Sequence, residues 1–161
     1  MIWFRRLSLA VGVAAALTAF ATPASAQVVY ALAGVEIEAT SYVGTFDGVA
    51  KAPDDFGTFW AVIEHDKLSD PAPQVTGGSF AIDGQLRQLQ GFIIPGGTIT
   101  KLGGSCQKER FAVTGQVVLN DFVTFGAFNV TLTHYGFSLP GGGCFTFFAT
   151  VKGGIFFATL Q

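Results

Sequence analysis

The chain has 161 residues and a formal net charge of −2, and only 12% of its residues are charged, about half the usual share. It has no basic stripe or cluster, which argues against nucleic acid and anionic membrane surfaces as partners. Seventeen phenylalanines and 21 glycines point to short β-strands joined by tight turns.

Residues 1–26 read as a signal peptide. Arg5 and Arg6 give a positive start, Leu7 to Phe20 is almost unbroken apolar sequence, and Thr22-Pro23-Ala24-Ser25-Ala26 supplies the small residues of a cleavage site. The apolar run is too short for a membrane span. Phe4 and Ser8 flank the arginine pair in a way that fits ordinary export better than a twin-arginine signal. The first cysteine is Cys106, so no lipid anchor is expected at the cleavage site. The mature chain is then residues 27–161, one domain, periplasmic or extracellular, with a bacterial-style leader. Removing Arg5 and Arg6 leaves seven basic residues against eleven acidic ones, a net charge of −4.

No stretch of the mature chain has helical apolar spacing. Strand-like runs fall near 28–40, 43–51, 57–65, 76–83, 97–102, 110–119, 127–136, 144–152 and 154–160. Residues 85–93 fit either a strand or a short helical turn. Pro53-Asp54-Asp55, Ser69 to Pro73, Pro95-Gly96-Gly97, Gly103-Gly104-Ser105 and Leu139 to Gly143 read as breaks. Lys152-Gly153-Gly154-Ile155 reads as a two-residue hairpin.

Alternation selects the faces. Phe128, Val130 and Leu132 share one side of their run, and Phe111, Val113, Val117 and Leu119 share one side of theirs. In 35–40, Val35, Ile37 and Ala39 oppose Glu36, Glu38 and Thr40. Phe145, Phe147, Ala149 and Val151 oppose Thr146, Phe148 and Thr150, so both faces of that run look covered or ready to meet a partner. The expected fold is all-β: an antiparallel β-barrel or β-sandwich of about eight to nine short strands.

Cys106 and Cys144 are the only two cysteines, and an even count in an exported chain predicts a disulfide. In a meander their strands flank 127–136 and run parallel, which puts both cysteines at one end of the sheet. Two ladder spacings separate them, about 9–10 Å, so the glycine-rich turns must fold over the sheet end to bring them together.

Chemical motifs are sparse. Glu64-His65-Asp66 alternates across a strand, so Glu64 and Asp66 face away from His65, and a solvated strand end explains them better than an acid–base site. His134 continues the apolar side of Phe128, Val130 and Leu132, where a core or rim histidine is commoner than a ligand. No metal, cofactor, phosphate-loop or nucleophile-elbow spacing is present. Thr98, Thr100, Thr131 and Thr133 suit an ordinary wet β face. The expected role is a non-enzymatic exported module that binds a small apolar ligand or a surface partner. Trp60, Tyr135, Phe145, Phe147, Phe148, Phe156 and Phe157 are its candidate contact residues. Two alternatives are a small outer-membrane barrel and an enzyme using Glu64 and Asp66, or His134, in a barrel mouth.

Overall fold

A computed structural model describes residues 27–158, so the predicted signal peptide lies outside the described residues. Eight strands follow in chain order: β1 (Gln27–Ala39), β2 (Val43–Lys51), β3 (Phe56–His65), β4 (Gln74–Gly84), β5 (Gln88–Ser105), β6 (Lys108–Leu119), β7 (Phe125–Ser138) and β8 (Cys144–Ala158). Each pairs antiparallel with the next, and β8 returns to β1, closing a barrel. Of the two all-β architectures expected, the barrel is the one formed. Closure leaves no sheet edge along the body of the barrel.

An eight-strand barrel is just wide enough for its inward side chains to fill it. Phe46, Phe59, Phe80, Phe111, Phe128 and Phe157 all lie in this core with smaller aliphatic residues between them. The alternation read in β6 and β7 holds, with Phe111, Val113, Val117, Phe128, Val130 and Leu132 all buried.

Several local readings need correction. The runs 144–152 and 154–160 are one strand. Lys152, Gly153 and Gly154 pair in unbroken register with Thr131, Val130 and Asn129, so no hairpin forms there. Gly153 is needed for close approach rather than for a turn, because a Cβ there would sit 2.2 Å from the Asn129 carbonyl oxygen. Residues 88–105 are likewise one strand, and Pro95-Gly96-Gly97 is an irregularity within it. Gly96 takes φ of 103° where the register shifts between Ile94 and Thr98. The glycines bend the strand without ending it. In β1 the expected faces are exchanged: Glu36 pairs with core Phe46 and its side chain is only 9% exposed, whereas Ile37 is exposed at a register shift.

The two ends of the barrel differ. At the end holding the β2–β3 and β4–β5 turns, a polar network shuts the interior. The Tyr30 hydroxyl donates to Asp55 Oδ2 at 2.6 Å, and the Leu86 amide donates to Asp55 Oδ1 at 2.9 Å. Arg87 grips Asp54 through two hydrogen bonds of 2.9 and 2.6 Å. The Tyr30 hydrogen bond, with the Leu86 amide, holds the Asp55 carboxyl below the usual carboxylate range. These turns close the barrel floor, so a site must lie at the opposite mouth or on the outside.

Candidate functional site

The mouth is lined by the inward ends of β1, β3 and β7. A cavity of about 50 Å³ lies there between Glu36, His65, Leu68, Ile99, Leu132 and His134. Glu36 Oε2 stands 3.6 Å from His134 Nε2, too long for a hydrogen bond, and that buried nitrogen has no partner. Burial raises the Glu36 carboxyl to about 7. Burial pushes the His134 imidazole below its ordinary value, with the Glu109 carboxylate acting against it and His65 adding to it. His65 Nδ1 donates to the Asp66 carbonyl at 2.6 Å.

Glu64 and Asp66 do not join this group. Glu64 is exposed on the outer face of β3, and Asp66 lies in the following turn, where it accepts from the Gln74 amide at 3.0 Å. Neither residue lines the cavity at the mouth, whereas His134, the other candidate for a barrel-mouth enzyme, does. Sequence reasoning missed Glu36, whose carboxylate stands 3.6 Å from His134, and Glu109, which pairs with His134 across β6 and β7. The period-2 relation of Glu36 to Tyr30 and Leu32 was the available signal, and its charge concealed it. Among the described residues, no group of three His, Cys, Asp or Glu side chains is placed to hold a metal ion.

The aromatic candidates divide into three sets. Phe157 is a core residue, stacked on Phe80 with ring centroids 6.0 Å apart. Trp60 and Phe156 point outward from the barrel wall. Trp60 pairs with Asp47 and Ala81, and half-buried Phe156 pairs with Val29 and Ala127. Tyr135, Phe145, Phe147 and Phe148 come together at the far end of the β7–β8 hairpin.

That hairpin overhangs the mouth. β7 and β8 stay paired out to Ser138 and Cys144. The β6 ladder along β7 stops at His134, and the β1 ladder along β8 stops at Thr150. Beyond those points the two strands run on as a ribbon. The Tyr135 and Phe148 rings lie 5.9 Å apart, and the Phe137 and Phe145 rings 5.2 Å apart. Phe137, Phe145, Phe147 and Phe148 are 49%, 50%, 65% and 44% exposed. Leu139 is exposed at the tip, and Lys108 Nζ sits over the Tyr135 ring at 5.9 Å. The predicted disulfide forms between Cys106, in the β5–β6 turn, and Cys144, with Cα atoms 5.3 Å apart. Gly136 lies beneath this turn: a Cβ there would stand 2.2 Å from the Phe145 carbonyl oxygen and 3.0 Å from that of Cys106. One flank of the ribbon is thus covered by the β5–β6 turn, and the other is open.

The barrel interior holds a cavity of about 60 Å³ bounded by apolar side chains including Leu32, Phe46, Phe59, Phe128 and Ile155. Pockets for drug-sized ligands occupy about 300–1,000 Å³. The outer wall alternates in the opposite sense and carries Asp47, Asn129, Thr131 and Lys152 in mid-strand, with Thr98 and Thr114 hydroxyls 2.8 Å apart. No protein-family model, curated protein or solved structure matches this chain. By its own geometry it belongs to the class of small, closed, disulfide-linked antiparallel β-barrels.

Proposed function

We propose that this chain is an exported, non-enzymatic binding module that meets a macromolecular partner through the aromatic ribbon of β7 and β8. The observation that carries the reading is the exposure of Phe137, Phe145, Phe147 and Phe148 on one two-stranded projection. Solvent-facing aromatic clusters of this kind mark contact sites, where rigid rings bury much surface for little conformational entropy. The disulfide supports the reading twice: it suits an oxidising compartment, and it fixes the projection on the barrel rim. The small interior cavity favours a surface partner over an enclosed apolar ligand. A transmembrane barrel has a polar lumen and an apolar outer belt; here the lumen is apolar, and Asp47, Asn129 and Lys152 interrupt an outer wall that also exposes Val49, Trp60 and Phe92.

Photo-crosslinking in the envelope of an exporting bacterial host tests this. A photoreactive side chain at position 147 is expected to give a discrete adduct that disappears when Phe145 and Phe148 are changed to Ser. The same side chain at position 49, on the outer wall away from the ribbon, serves as the control. Equal labelling from both positions, or none from 147, overturns the proposal.

A further inference from the structure

The open flank of the ribbon is a free sheet edge; β5 beyond Thr98 has another on its β4 side, but that one carries Lys101. β8 pairs with β1 only as far as Val35 opposite Thr150, although β8 continues to Cys144. Residues 144–148 therefore present backbone N–H and C=O groups with no neighbouring strand on the β1 side. All of 144–148 are solvent-exposed. Natural proteins shield such edges with charges, prolines or a covering loop. Here no charged residue occurs between His134 and Lys152, and the only proline, Pro140, lies in the hairpin turn outside the edge. The cover supplied by the β5–β6 turn lies on the β7 side, through Gly136 and the disulfide.

We infer that this edge, Cys144–Phe148, pairs antiparallel with the same edge of a second copy, joining two barrels through a continuous sheet in a two-fold dimer. The inference rests on the reading that the ribbon is the contact surface, and it names the partner. Two features favour a second copy as occupant. An antiparallel pair of identical edges is self-complementary under a two-fold axis, the arrangement commonest among homo-oligomers. A neutral edge meets its own copy without like-charge repulsion, whereas a charged partner would find no counter-charge along 135–151. The rings on the pairing strand, Phe145, Phe147 and Phe148, expose about one and a half whole Phe residues. At roughly 200 Å² per ring-bearing residue this is at most roughly 300 Å² per copy. Two copies therefore bury less than the ~1,000–1,200 Å² of the smallest specific interfaces, so the dimer is weak. The dimer is accordingly concentration-dependent, and its outer face gathers Phe145 and Phe148 from both copies beside the Tyr135 and Phe137 rings.

The test is sedimentation equilibrium of the disulfide-intact mature chain across a hundredfold concentration range, with three variants. Phe147 is 65% exposed and lies outside the core, so Phe147→Lys and Phe147→Asp fold, as an unchanged melting temperature verifies. Each alone places like charges near the two-fold axis and weakens dimerisation at least tenfold, while an equimolar mixture of the two restores it. Trp60→Lys, on the barrel wall, leaves dimerisation unchanged. Amide exchange in the wild type slows at 144–148 as concentration rises. A wild type that stays monomeric at millimolar concentration, or a dimer indifferent to Phe147→Lys, overturns the inference. If the position-147 crosslinker gives an adduct whose mass is not twice that of the chain, the ribbon remains a contact surface and the second copy is ruled out as its occupant. If it gives no adduct at all, the broader proposal fails as well.

Discussion

Glu36 shows how a single residue in the wrong-looking place shapes the molecule. Burial lifts its carboxyl from an ordinary 4.5 to about 7, so the folded state holds a proton that the unfolded chain has released. Stability from this site is complete below about pH 4.5 and is lost as pH rises through about 7. The full shift corresponds to on the order of 3 kcal/mol. His134 works in the opposite sense: its lowered value makes the folded state favour the neutral ring, so its contribution is present above pH 6.5 and falls away in acid. Between pH 4.5 and about 7.5 the wild type is therefore expected to lose stability relative to Glu36→Gln, a comparison in which the His134 contribution cancels. Calorimetric scans of both proteins over this range check it. Parallel curves for the two proteins show that Glu36 does not titrate in the folded state as its burial requires.

At the scale of the element, the β7–β8 ribbon depends on one covalent link. Cys106 and Cys144 are 38 residues apart, and closing a loop of that length contributes about 4 kcal/mol in the chain-entropy model. Because the link joins a turn to a projection, its removal loosens the projection before the barrel. Cys106→Ser with Cys144→Ser is expected to speed amide exchange across 135–149, with β2 and β3 still protected at moderate temperature and the melting temperature lowered. Uniform acceleration throughout the barrel contradicts a local role. The cysteine pairing was legible from compartment, count and the parallel run of the two flanking strands. The overhang was not, because it depends on where the β1 ladder along β8 stops. Phe145 and Phe147 alternate with Thr146 like core residues, and only the tertiary register reveals that they have passed the rim. Glycine misled for a related reason: Gly-Gly marks a turn in sequence, yet Gly153 and Gly97 serve strands that run close to their neighbours.

For the whole molecule, the barrel was readable where one face is wet and the other dry, as in β6 and β7, since period-2 alternation then names the interior. It was unreadable where an outward residue is also apolar. Phe156 and Phe157 are adjacent and chemically identical, and the register alone sends Phe157 inward against Phe80 and Phe156 out beside Val29. Trp60, the largest outward aromatic on β3, sits on the same wall as Asp47 and Ala81. Sidedness therefore predicts unequal costs for truncating similar rings. Phe157→Ala removes a filled core position and is expected to destabilise by about 3–5 kcal/mol. Trp60→Ala, at 43% exposure, costs well under half of that, because much of its ring already meets water in the folded state. Urea titration of the two variants beside the wild type decides the matter through the shift of each midpoint at unchanged slope. A Trp60→Ala loss equal to that of Phe157→Ala places Trp60 inside, reverses the inward and outward faces of β3, and removes the apolar lumen on which the contrast with a membrane barrel rests.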